Sequence, residues 1–276
     1  MVEYYKAEKL TERITVIKSL TGENLYLIIG DDKAVLIDTC IGIKGLKNVV
    51  ESITDKPLTV LISHGHIDHA PGAPEFDNVY MNEKDIPLYQ SMIDLEGRRG
   101  YAAIALGEEA FKLNEDEFVP ETPDFKFINL MDGMSFNLGG VTVEAYEYPG
   151  HTKGCMVFLI PEERILICGD ACNNSTFLFD EVCATVSEYE ENTKKIAKRL
   201  EGKYDRIFLM HMIVDAPVSL FDEMIELCED IKKGNVDNIP GDFMGNKYCM
   251  AKKCNQFRQR DDKKFANLLY NPNRIG

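Results

Sequence analysis

Residues 61–72 read LISHGHIDHAPG, an apolar run that ends by placing His64, His66, Asp68 and His69 within six positions. The chain has only five histidines, so a concentration of three here calls for a chemical reason. Neutral imidazoles and carboxylates donate lone pairs to divalent zinc or iron at about 2.0–2.2 Å. His64 and His66, two apart where a strand gives way to a loop, can face one ion, while Asp68 and His69 past the turn can face a second. Two neighbouring metal positions follow from this spacing. The other two histidines also close apolar runs: His151 follows VTVEAYEYPG inside PGHTKG, and His211 ends RIFLMH. Asp170, at the end of RILICGD, completes the set, because a carboxylate between two cations can bridge them and offset part of their repulsion.

The elements that must position these residues are mostly strands. ITVIKS (14–19), NLYLIIG (24–30) and AVLIDT (34–39) are rich in β-branched and aliphatic residues, and the turn-like GDDK joins the last two. GLKNVVESIT (45–54) has helical spacing, and LTVLIS (58–63) is a buried strand that delivers the histidine cluster at its C-terminal end. Strand signals return in NVYMN (78–82), FKFINL (125–130), VTVEAYEYP (141–149), CMVFLIP (155–161), RILICGD (164–170) and RIFLMH (206–211). Residues 83–117, SEYEENTKKIAKRLEG (187–202) and SLFDEMIELCEDIKKG (219–234) read as helical. Two β-rich halves result, each followed by helix.

Composition limits what such a centre can serve. At 276 residues and 45% hydrophobic the chain can bury one large core, so residues 1–276 are expected to form a single domain. The first twenty residues carry charges throughout and show neither an export signal nor a membrane anchor, which points to a cytoplasmic protein with reduced thiols at its eight cysteines. Cys249 and Cys254 lack the second pair that a zinc site of their own would need. A net charge of −15 repels nucleic acid, so no nucleic-acid or membrane partner is expected; a small-molecule substrate is, and a homo-oligomer is left open. From Lys247 to the end, eight basic residues stand against Asp261 and Asp262. A basic C-terminal extension over 235–276 is therefore either charge balance or a contact for an anionic substrate, with Arg258, Arg260 and Arg274 the best candidates because a guanidinium binds carboxylate or phosphate through two parallel hydrogen bonds.

HGHIDH, PGHTKG, CGD and LMH together resemble the metallo-β-lactamase superfamily, in its glyoxalase II-like form, over about residues 14–215 and at all seven ligand positions. The resemblance implies an α/β fold, a four-layer αββα sandwich. It also implies that His64, His66 and His151 hold a first metal, that Asp68, His69 and His211 hold a second, and that Asp170 bridges. Asp38, in LIDT, matches the acid that families of this fold place beneath the site, and Asp68 would accept the nucleophile's proton and pass it on. Two ions sharing a water lower its pKa to about 7, so a hydroxide nucleophile is available at neutral pH. The expected activity is hydrolysis of an acyl bond, whether thioester, lactone or ester, with two zinc ions; iron or manganese suit the same donors.

Departures from known branches narrow the field. His66 stands where the flavin-associated di-iron branch has Glu, and the 41 positions from Asp170 to His211 leave no room for an inserted nuclease domain. A mononuclear iron sulfur dioxygenase and a small phosphodiesterase are the alternatives. The 82 positions from His69 to His151 contain the helical stretch 83–117, which is expected to form a lid bringing Tyr89, Met92, Tyr101 and Phe111 to the cleft, with Phe177 beside them.

Overall fold

In the computed structural model, residues 3–256 and 258–276 are described, apart from the side chains of Phe111 and Lys112. The apolar runs near the N-terminus pair antiparallel as β1 (Tyr5–Lys9), β2 (Ile14–Ser19), β3 (Asn24–Ile29) and β4 (Ala34–Ile37). The sheet continues in parallel through β5 (Leu58–Leu61), β6 (Val79–Met81) and β7 (Ile128–Asn129), seven strands in sequence order. A second sheet contains β8 (Ser135–Asn137), β9 (Thr142–Glu147), β10 (Met156–Ile160), β11 (Ile165–Ile167), β13 (Arg206–Phe208) and β14 (Asp215–Ala216), in the order β14-β13-β11-β10-β9-β8.

The layering follows from which faces are apolar. Ile14, Val16, Ile28, Val35 and Leu61 of the first sheet meet Val143, Phe158, Ile165 and Phe208 of the second in one buried cluster, so the two sheets pack face to face. The other face of the first sheet, through Leu25, Leu27, Leu36 and Val60, packs on Leu46 and Val50 of α1 (Leu46–Ile53) and on residues of the 83–117 stretch, including Tyr89 and Ala102. The outer face of the second sheet, through Val157, Leu159 and Leu166, meets α4 (Val186–Leu200) and α5 (Leu220–Lys233). These are the four layers of an αββα sandwich.

Helix α4 begins at a reciprocal cap, Thr185 accepting from the Glu188 amide while the Glu188 side chain accepts from the Thr185 amide, and Lys198 and Arg199 lie in its last turn, where the helix dipole favours cations. Helix α5 buries Leu220, Phe221, Met224, Leu227, Cys228 and Ile231 and stops at Gly234, whose φ of 75° is the left-handed cap that glycine adopts without penalty.

The 83–117 stretch is helical as expected, with α2 (Ile86–Met92), α3 (Leu95–Leu106) and short 3-10 turns around them. The C-terminal segment adds a third sheet that the sequence pattern does not reveal: β12 (Thr176–Leu178), β17 (Leu268–Tyr270), β16 (Asn246–Met250) and β15 (Ile239–Phe243), side by side in that order. Ala251, Ala266, Leu268 and Tyr270 join the core around α4 and α5, so the last forty residues fold back on the body.

Candidate metal centre

Every histidine and the two acids among the seven motif residues lie just beyond the C-terminal end of a strand: His64, His66, Asp68 and His69 after β5, His151 after β9, Asp170 after β11 and His211 after β13. β11 and β13 are shorter than the sequence pattern suggests and end three residues before their ligand, so Asp170 and His211 stand on loops rather than in the sheet. The C-terminal ends of strands from both sheets therefore meet at one rim.

The seven side chains form two groups. His64, His66 and His151 are one, and Asp68, His69, Asp170 and His211 are the other; within each, one ligand atom per residue lies within 4.8 Å of all the rest. The ring orientations are held from behind. His151 Nδ1 lies 2.8 Å from the Phe177 carbonyl, to which it must donate, and this leaves Nε2 with its lone pair. The Ser63 hydroxyl donates to Asp38 Oδ2 at 2.7 Å and so accepts from His64 Nδ1 at 3.0 Å, with the same result for His64 Nε2. His69 Nδ1 donates to Asp38 Oδ2 at 2.5 Å. Asp38 itself is buried, has φ 66°, and is fixed by the Ser63 amide at 2.6 Å.

The residues fit bound metal ions. The Nε2 atoms of His64 and His151 and Oδ1 of Asp170 are buried without a hydrogen-bond partner, a costly arrangement unless a ligand uses them. His69 Nε2 and His211 Nε2 face one another at 3.2 Å, an approach two lone pairs tolerate only with a proton or a cation between them. Asp170 Oδ2 lies 3.1 Å from His211 Nε2, 3.5 Å from His69 Nε2 and 3.9 Å from His151 Nε2, so it reaches both groups.

The electrostatics of the groups are opposite. Burial, reinforced by the neighbouring rings, holds His64 well below its ordinary pKa and pushes His66 down to about 3. In the second group, burial would lower His69 and His211, but Asp68 and Asp38 raise the first and Asp170 and Asp68 raise the second, His211 to about 9. Asp68 and Asp170 are driven below the usual carboxylate range, the pull of burial being outweighed by His69 and His211. In the metal-free chain His64 and His66 of the first group are neutral donors, and the second group is a network of carboxylates and imidazolium ions.

Two supporting residues escape sequence reasoning. Asp85 is buried, and its carboxylate accepts from the Gly65 amide at 3.0 Å, the Thr152 hydroxyl at 2.6 Å and the Gly154 amide at 2.7 Å. It thereby ties the loop of His64 and His66 to that of His151. A side chain on Gly65 would collide with the Asp85 carbonyl at 2.6 Å, which is why glycine separates the two histidines. Ser63 is the other. Nothing in EKDIP or LISH marks either residue, since their roles arise from contacts across the fold.

The remaining candidates divide. Tyr101 of α3 donates to Asp68 Oδ2 at 2.7 Å, and Phe177 adjoins His151 with ring centroids 6.5 Å apart. Tyr89 is buried under the helices, its hydroxyl on the Thr122 carbonyl at 3.0 Å. Arg260 is also buried, its guanidinium engaged by Asp262 and the Ala266 carbonyl. Arg274 donates to the carbonyls of Asp180 and Cys183. Two of the three arginines are thus committed to holding the C-terminal segment, while Arg258 is exposed. The side chain of Phe111 lies outside the described residues. All eight cysteines are unpaired, and among the described residues Cys249 and Cys254 join no group of metal-ligating side chains.

Comparison with known proteins agrees with this geometry. The family model for the metallo-beta-lactamase superfamily matches residues 20–211. A Caenorhabditis elegans protein, the beta-lactamase-like protein 2 homolog, is 28% identical over 233 residues, which cover 79% of this chain and 68% of that protein. The human acyl-coenzyme A thioesterase MBLAC2 is 21% identical over 234 residues, 76% of this chain and 82% of that protein. Among solved structures, the FIM-1 metallo-beta-lactamase of Pseudomonas aeruginosa in its mono-zinc form superposes with a TM-score of 0.58 at 17% identity, over 82% of this chain and 95% of its own. Among the described residues, no helix is long and apolar enough to cross a membrane.

Proposed function

The chain belongs to the metallo-beta-lactamase superfamily, and we propose that it is a dinuclear metal-dependent hydrolase of acyl bonds, thioesters foremost. The observation that carries this reading is the pair of donor groups at the strand ends, with Asp170 in reach of both. His64, His66 and His151 would hold a first ion, Asp68, His69 and His211 a second, and Asp170 would bridge. Zinc suits these donors and the tetrahedral preference of a three-histidine set; iron and manganese remain outcomes of the test. Divalent ions held there supply Lewis-acid polarisation of a carbonyl and acidification of a water.

The chain's own residues do the rest. Asp38 and Ser63 aim His69 and His64, the Phe177 carbonyl aims His151, and Asp85 keeps the two loops of the first group in register. Asp68 moves the proton, taking it at the carboxylate oxygen that Tyr101 does not engage and passing it to the leaving group. Tyr101 and Phe177 bound the space where the acyl group lies. A thioester is preferred to a lactone or phosphodiester because the human relative, similar over most of its length, is named an acyl-coenzyme A thioesterase. We read residues 1–276 as one such domain, 83–117 as a helical insertion over the site and 235–276 as a basic extension that braces the body.

The test is metal analysis of protein purified without oxygen, followed by a panel of acyl thioesters, a lactone, an aryl ester and a phosphodiester. Two ions per chain and fastest turnover of a thioester are expected. A single iron with oxygen uptake would replace this reading with the sulfur dioxygenase, and fastest turnover of the phosphodiester would replace it with a phosphodiesterase.

A further inference from the structure

Helix α3 is held in an unusual way. α5, of similar length, buries six side chains that are all apolar, whereas α3 fully buries only Arg98 and Ala102, with Leu95, Tyr101, Ala103 and Leu106 partly covered. It contains Gly97 and Gly100, and helix interiors lose stability at glycine. Its fixings are polar. Arg98 donates to the Val119 carbonyl at 2.9 Å and lies over the Phe118 ring, the Leu95 amide donates to Glu121 Oε1 at 2.6 Å, and one turn beyond Arg98 the Tyr101 hydroxyl donates to Asp68 Oδ2 at 2.7 Å. The first two tie α3 to residues 118–121. Of these fixings, only the Tyr101 bond ends on a residue of the donor groups.

That same carboxylate oxygen of Asp68 lies 3.4 Å from His211 Nε2 and 3.5 Å from His69 Nε2. Anything that fixes the Asp68 carboxylate therefore fixes the acceptor on which α3 leans, and anything that fixes α3 orients the carboxylate. We infer that Tyr101 is a positioning residue that couples the helical insertion to the second donor group, so that binding of an ion by Asp68, His69, Asp170 and His211 and ordering of α3 over the site stabilise one another. The inference rests on the reading of that group as a metal site. Coupling of this kind is reciprocal: the factor by which metal orders the helix is the factor by which the ordered helix tightens metal. The first group, which Tyr101 does not touch, stands outside the coupling. Such an arrangement would close the insertion over the loaded centre and leave it looser over the stripped one.

The experiment compares amide hydrogen exchange across residues 95–106 in wild-type and Tyr101→Phe protein, each with zinc and after chelator treatment, alongside competition titrations for both ions. The substituted ring keeps its packing and loses only its hydroxyl. In wild type, stripping should speed exchange in α3 by about tenfold or more, within the range typical of site-to-site coupling. In the variant, α3 should exchange rapidly with or without zinc, and the weaker-held or second ion should bind about 10–100-fold less tightly, as when a partner of a metal ligand is removed, with the first ion little changed. With a thioester, kcat should fall more than KM. A tyrosine that merely packs the helix would change exchange equally in both metal states and leave both affinities alone, and that result overturns the inference. Wild-type protein that binds one ion or none overturns the dinuclear reading and the inference together, whereas two ions with exchange in α3 indifferent to them overturn the inference alone. Should the variant not fold, wild-type protein in which exchange across α3 is the same stripped and loaded still overturns the inference.

Discussion

The two donor groups are adjacent, yet they are built on opposite principles. The first is three imidazoles, those of His64 and His66 with their charged forms disfavoured, and it is held by the neutral acceptors behind His64 and His151 and by the loop clamp at Asp85. The second alternates carboxylates with imidazoles that burial alone would keep neutral and the carboxylates hold charged. His64 and His66 are ready for a cation with no proton to lose, whereas the second group must release protons from His69 and His211 before it can use those nitrogens. Similar residue types at similar spacing thus acquire different chemistry from the groups that stand behind them.

The largest effect is expected where the distinction breaks down. Asp170 is within 4 Å of ring nitrogens in both groups, at 3.9 Å from His151 and 3.1 Å from His211. Asp170→Ala should weaken both ions and reduce turnover by more than the roughly 100-fold that loss of a mere outer partner costs. Metal content and kcat, measured together, check this. An Asp170→Ala protein that keeps two ions and its rate would show that the groups are independent and that Asp170 bridges nothing.

The next pair of substitutions sharpens the contrast. Asp38 bonds His69 directly but reaches His64 only through Ser63, and Asp85 bonds only the loops of the first group. Asp38→Asn should therefore lower affinity for the second ion about 10–100-fold and disturb the first less. Asp85→Asn should do the reverse, with a loss of stability, because an amide offers one acceptor to three donors and each unpaired buried group costs about 1–3 kcal/mol. Equal loss of both ions in both variants would mean that the outer contacts do not separate the groups.

How much of this was legible in the sequence depends on where the information sits. That these seven residues gather in one place could be read because histidine is scarce and the motifs that carry them follow apolar runs, and the apolar periodicity pointed to both sheets and the long helices. Asp85 could not be read, because its three donors lie 20, 67 and 69 positions away and no local pattern announces them. Nor could the fate of Arg260 and Arg274, since a sequence shows a guanidinium but not the carboxylate and carbonyls that already occupy it. The third sheet was hidden because IPGDF and NKYCM lack the alternation that marks a half-buried strand, and β17 is three residues long.

A pH series on chelator-treated protein separates the groups without mutation. His64 and His66 titrate below their ordinary value of 6.5, so between about pH 3 and 6.5 the unfolded chain binds more protons than the folded one, and stability should rise with pH across that window. His69 and His211 are raised, His211 to about 9, so from 6.5 to about 9 the folded chain binds more protons and stability should fall. The Tm of stripped protein should thus peak near pH 6.5. With zinc bound, the ion takes the place of the protons on His69 and His211, and the part of the decline between pH 6.5 and about 8, below the range in which the unfolded chain's thiols ionise, should vanish while metal is retained. A decline that persists unchanged with two ions bound would place the charge elsewhere than the second group.

The smallest effect is the most selective. Gly100 is exposed in the middle of α3, and a Cβ added there meets nothing within 4 Å. Alanine at this position should stabilise the helix by about 0.5–1 kcal/mol through backbone entropy alone. In a chain of this size that raises Tm by about 1–4 °C if the helix unfolds with the rest. Because α3 leans on Asp68 and on none of the first three histidines, part of the gain should appear as tighter binding of the second ion, by at most about fivefold, the most that 1 kcal/mol can supply. Affinity for the first ion should be unmoved. If Gly100→Ala tightens both ions alike, or only the first, helix α3 belongs to the scaffold as a whole, and the division between the two groups does not extend to the elements that cover them.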